Sequence, residues 1–187
     1  SIMLSERKES HPMTVWKAYC HAVRKVSKIS SYIAAAATVL MSLIIFVEIL
    51  YRNIFGASTL IADEFGSYFL CASTFFAGPL LMAEDGFLRV DILYTRFTGL
   101  TKKICDTIIW VTGIICCCYM TRFCFHVVQS SYNMHSVSAY ITKTPMVYPQ
   151  SIMVIGFVLL ILEMTVKLGE VFLPSIDDEE KKEKLNA

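Results

Sequence analysis

Three stretches of nineteen consecutive residues, 29–47, 65–83 and 144–162, contain no Asp, Glu, Lys or Arg. A fourth, 107–121, is shorter, at fifteen residues. It extends to about 104–128 because Arg122 can snorkel while Phe123, Phe125, Val127 and Val128 continue the apolar run. About 20 apolar residues in a helix cross the roughly 30 Å of bilayer hydrocarbon. There every backbone N–H and C=O must find an internal partner, which selects helices over open strands. The chain is therefore read as an all-α membrane protein with four transmembrane helices at about 29–50, 63–83, 104–128 and 144–167.

Only 18% of the 187 residues are charged, against roughly 25% in a soluble domain. Their placement says more. Residues 1–28 hold eight charges and residues 170–187 hold nine, leaving 16 for the 141 residues between. Fourteen Lys and Arg fall in the two ends and the loop between spans two and three, and three fall in the other two loops. The positive-inside rule then puts both termini in the cytoplasm. Three regions follow: a cytoplasmic segment 1–28, a four-helix domain 29–170 and a charged flexible tail 171–187. No dense basic face exists to bind nucleic acid.

Within the first region, Val15, Tyr19, Ala22, Val23 and Val26 recur at helical spacing, with Lys17, His21, Arg24, Lys25 and Lys28 between them. This pattern predicts an N-terminal amphipathic helix lying in the membrane interface, anchored to lipid by Trp16, Lys17, Arg24, Lys25 and Lys28. A solvent-exposed basic lead-in is the alternative. A cleaved signal peptide is not expected, because the hydrophobic run begins only at residue 29.

Signals for chemistry are weak. Cys116, Cys117 and Cys118 are consecutive, so on a helix they point about 100° apart and cannot converge on one ion. The four histidines form no metal motif, and there is no phosphate loop or nucleophile elbow. No catalytic residue, metal or cofactor is expected. The carboxylates Glu48, Asp63, Glu64, Glu84, Asp85 and Glu163 all sit near span ends. Acidic residues favour helix starts, which accounts for Asp63 and Glu64. Pro79, following Gly78, should leave a carbonyl in span two for a neighbour to satisfy. Pro145 and Pro149 should set the angle at which span four begins, with a plain helix-start role for Pro145 an equally good reading.

The order of these features resembles a known family. Asp63-Glu64 begins a span, Phe75-Phe76-Ala77-Gly78 lies within it, and Ala83-Glu84-Asp85-Gly86-Phe87-Leu88-Arg89-Val90-Asp91 follows. Leu50-Tyr51-Arg52-Asn53-Ile54-Phe55-Gly56 leaves span one, and Thr144-Pro145-Met146-Val147-Tyr148-Pro149-Gln150 leads into span four. Together these are similar to the small, DctQ-like membrane subunit of the tripartite ATP-independent periplasmic (TRAP) transporters. One position departs: Phe87 stands where the family commonly has histidine.

The resemblance implies a bacterial inner-membrane protein, not an enzyme, that scaffolds a large elevator-type M subunit. It also implies a periplasmic binding protein that delivers an organic anion, of sialic acid or C4-dicarboxylate type, for sodium-coupled uptake. Arg89, Asp91, Gly78, Pro79, Pro145 and Pro149 would serve structure or subunit contact. Tyr51, Arg52, Asp63 and Glu64 would lie where a binding protein docks. Two rival classes stay open at this point: a self-sufficient homo-oligomeric small transporter, and a membrane redox or enzyme subunit.

Overall fold

The computed structural model describes residues 2–84, 100–140 and 142–172, with side chains from residues 15–84, 103–140 and 142–172. Four helices make up almost all of it: α1 (Ile2–Phe55), α2 (Ile61–Ala83), α3 (Leu100–Asn133) and α4 (Val147–Phe172). All four contain segments long and apolar enough to cross a membrane. No strand occurs among the described residues, only one isolated antiparallel bridge between Val137 and Pro145.

Neighbouring helices pack in the order α1, α2, α4, α3, and α1 also touches α4. Residues 16–30 of α1 meet the C-terminal parts of α2 and α4, where Ser30 bonds Phe76 and Tyr19 bonds Thr165. These side chains mark one end of the bundle, here called the terminal end. The α1–α2 loop and the α3–α4 hairpin form the opposite, loop end.

Small residues set how closely the helices approach. At the α2–α4 crossing, a Cβ on Gly156 would come within 2.5 Å of the Phe75 Cβ. Beside it, the Phe75 and Phe157 rings meet edge-on at 5.1 Å. Gly78 faces Leu160 in the same crossing, and Gly113 of α3 faces Met164 of α4. Such close approach supplies the packing contacts that associate helices in lipid, where the hydrophobic effect between them is weak.

The first helix departs from expectation. It runs unbroken through residue 28, where the surface segment was expected to give way to the first span. At 54 residues it would measure about 80 Å, well beyond the thickness of the hydrocarbon. One seam explains the continuity. Trp16, Cys20, Val23, Ser27, Ser30, Ala34, Ala37, Met41, Ile44 and Glu48 are buried or half-buried, at alternating steps of three and four after Trp16. That is a coiled-coil seam, and it crosses residue 28 without changing register.

The packed face in residues 15–28 is therefore rotated from the one that hydropathy suggests. Val15, Ala22 and Val26 are exposed, whereas Ser27 and Ser30 are buried. Serine is tolerated there because both hydroxyls are hydrogen-bonded across or along the seam.

Candidate functional site

Polar chemistry gathers at the two ends of the bundle. At the terminal end, four side chains of α1 engage α4 in succession. The Trp16 indole lies on Gly169, where any Cβ would overlap the ring. Tyr19 shares a 2.8 Å hydrogen bond with Thr165. Arg24 forms an ion pair with Glu170, which Lys167 also approaches at 3.8 Å. Ser27 Oγ donates to Glu163 Oε2 at 2.7 Å. One turn further, Ser30 Oγ donates to the Phe76 carbonyl of α2 at 2.9 Å. Pro79 withdraws its N–H from the Phe75 carbonyl, so the bond from Ser30 falls on the carbonyl next to the one that loses its helical donor.

Glu163 has no exposed surface, and Lys167, one turn on, is almost as buried. Ion pairs at the surface contribute little, but enclosed charge networks are costly to break because each group is left without water. Here the network joins the segment before the first span to the end of the last one. It clamps α1 onto α4.

At the loop end, two carboxylates organise the connections. Glu48 accepts hydrogen bonds from Ser58 Oγ (2.7 Å), Thr59 N (3.1 Å) and Thr59 Oγ1. This fixes the turn that begins at Gly56, whose φ of 66° places it in the left-handed region that ends helices. Leu60, also left-handed, precedes α2 with no side chain capping from that position. Ser58 and Thr59 hydroxyls instead accept from the N–H groups of Leu60 and Ile61. Beside Glu48 and Thr59 a mainly apolar hollow of about 320 Å³ opens between α1 and α2, with Leu43, Val47 and Tyr51 on its wall.

Glu64 performs the second task. Only 1% exposed, it accepts from Tyr68 Oη at 2.9 Å and from Thr142 Oγ1, reaching 78 residues along the chain to the α3–α4 hairpin. That hairpin is closed by Ser138 N to Thr144 O and Met146 N to Ser136 O.

The family model for the DctQ component of tripartite ATP-independent periplasmic transporters matches residues 41–173, more than half of the chain. The chain belongs to the DctQ family. No curated protein matches it. The DctQ match begins within α1 and ends just past α4, so it covers the loop-end carboxylates, the α2–α4 crossing and the Glu163 half of the clamp. It identifies a small permease subunit of a TRAP transporter, a transporter component and a multi-pass membrane protein.

The expected site residues of this DctQ protein fall into separate groups. Trp16 and Arg24 are turned onto α4, whereas Lys17, Lys25 and Lys28 are exposed. Tyr51, Arg52 and Asp63 are exposed at the loop end, whereas Glu64 is buried against Tyr68 and Thr142 and is itself no surface contact. Gly78 and buried Pro79 sit in the centre of the packing, and Pro145 and Pro149 flank the start of α4. Arg89 and Asp91 lie outside the described residues.

Sequence reasoning missed Ser27, Glu170 and Gly169 as contributors. The available signal was the row of small residues Ser27, Ser30, Ala34 and Ala37 at steps of three and four on α1.

Proposed function

We propose that this DctQ protein is a static scaffold for the large M subunit of its transporter, and that it helps receive the periplasmic binding protein. The observation that carries the reading is the contrast between tied ends and bare flanks. Carboxylate-centred networks hold the helices together at both ends of the bundle. Meanwhile Val39, Leu43, Phe46 and Leu50 on α1 remain exposed. A body fixed internally and apolar outside suits a partner that moves against it.

In this reading both termini are cytoplasmic, in the bacterial inner membrane. Lys17, Lys25 and Lys28 face anionic headgroups, and Arg89 and Asp91 serve contact with the M subunit from the cytoplasmic side. Tyr51, Arg52 and Asp63 meet the binding protein, with Glu64 holding the surface beneath them. Transport of the organic anion, of sialic acid or C4-dicarboxylate type, and of its coupling sodium belongs to the M subunit.

Reconstitution tests this. The chain alone in liposomes should carry no organic anion. With the M subunit and the binding protein, uptake should follow the sodium gradient and fail when the small subunit is omitted. Transport by the chain alone would overturn the scaffold reading.

A further inference from the structure

Among the described residues, one cation in the membrane-spanning part is left without a partner. Arg122 lies on an exposed face of α3, and no ion pair or hydrogen bond engages it among the described residues. A guanidinium is costly to hold in hydrocarbon without a partner. On the span 104–128, Arg122 sits roughly 9 Å inside the far boundary. Its side chain can reach the headgroup level from there.

Two further donors follow it outward. His126 and Gln129, one and two turns on, line a hollow of about 410 Å³ with Arg122, Tyr119, Phe123 and Phe125. Inward, the same stripe turns apolar: Ile115 and Ile108 are exposed, the latter about 21 Å from Arg122 along the axis. Donors at the interface above an apolar track describe one kind of occupant, an amphiphile with an anionic head.

A second helix fits this face poorly. Helix contacts in lipid favour small residues, and α3 turns Gly113 toward Met164 of α4, while the Arg122 stripe presents large aromatic rings. We propose that Arg122, His126 and Gln129 bind the phosphate of an anionic phospholipid. One acyl chain lies along Tyr119, Ile115 and Ile108. The inference needs only that α3 spans the membrane, and it stands apart from the scaffold reading.

Native mass spectrometry of the full chain tests it, with release from nanodiscs of equal parts phosphatidylcholine and phosphatidylglycerol. The wild type should retain one phosphatidylglycerol in preference to phosphatidylcholine. Arg122→Gln should lower retention about tenfold, the loss of one charge-assisted contact. Arg122→Lys should keep most of it, and Arg52→Gln, at the end of α1, should leave it unchanged. If Arg122→Gln does not fold, His126→Leu and Gln129→Leu should each cost about threefold. Equal retention of both lipids, or retention unaffected by these variants, overturns the proposal. So does loss of a co-purifying membrane protein from Arg122→Gln at unchanged lipid retention, which would assign the face to a carboxylate on a partner helix.

Discussion

Ser27 on α1 donates a 2.7 Å hydrogen bond to Glu163 on α4, joining residues 136 apart at a carboxylate with no exposed surface. A hydrogen bond contributes about 0.5–1.5 kcal/mol, and a buried acceptor stripped of its donor keeps a desolvation cost of about 1–3 kcal/mol. Ser27→Ala should therefore destabilise the protein by an amount in the latter range. Glu163→Gln retains a side-chain oxygen for Ser27 and should cost less than Glu163→Ala. Thermal unfolding in detergent measures each change. The Ser27→Ala/Glu163→Gln double variant should lose less than the sum of its parts, as expected for groups in contact. Simple additivity would show that the two do not work as a pair.

A second consequence concerns the bare glycines on α4. Gly169→Ala sets a methyl group where the Trp16 indole lies, so the ring must leave and take the start of the clamp with it. In a Trp110→Phe background, Trp16 emission should shift to the red while helical content stays constant. Gly156→Ala meets the Phe75 Cβ at 2.5 Å, backbone-near atoms that cannot swing aside. Overpacking of this kind costs about 1–3 kcal/mol. It should lower Tm without moving Trp16 emission, which separates the two contacts.

The four spans were legible because hydrocarbon imposes a length and an absence of charge that can be counted along the chain. Packing faces were not. Hydropathy ranks Val15, Ala22 and Val26 above Ser27 and Ser30, yet the serines are buried. A buried hydroxyl is favourable only where a partner oxygen awaits it, and for Ser27 that oxygen belongs to Glu163 in the last helix. Glu64 shows the same limit. Its place in the first turn of α2 suggested interaction with the helix dipole, but its Thr142 contact is 78 residues distant. The residues that organise each end were visible as types, while their partnerships depend on the fold.

The two loop-end carboxylates act on different connections, which predicts separable effects. Glu48→Ala releases Ser58 and Thr59, so amide exchange should rise across residues 56–60 and remain unchanged in the hairpin 136–145. Glu64→Ala releases Thr142 and Tyr68, and should speed exchange in the hairpin instead. Hydrogen-exchange mass spectrometry resolves the two regions. A single opening that involves both loops in either variant would show that this end behaves as one cooperative unit.

Above those carboxylates, Arg52 and Asp63 are exposed at the loop end. Exposed charges at the rim of an interface chiefly alter encounter rate and salt dependence, at about 1 kcal/mol or less. On the docking reading, Arg52→Glu and Asp63→Arg should each raise the binding-protein concentration needed for half-maximal uptake by up to about fivefold. The difference from wild type should shrink as ionic strength rises, because a Debye length of about 8 Å at physiological salt contracts to about 3 Å at 1 M. Assembly with the M subunit and maximal uptake should not change, since neither residue lies in the packed interior. Reconstituted uptake titrated with binding protein at two salt concentrations provides the measurement. A fall in maximal uptake at constant half-saturation would place these residues in the transport cycle itself rather than at the docking surface.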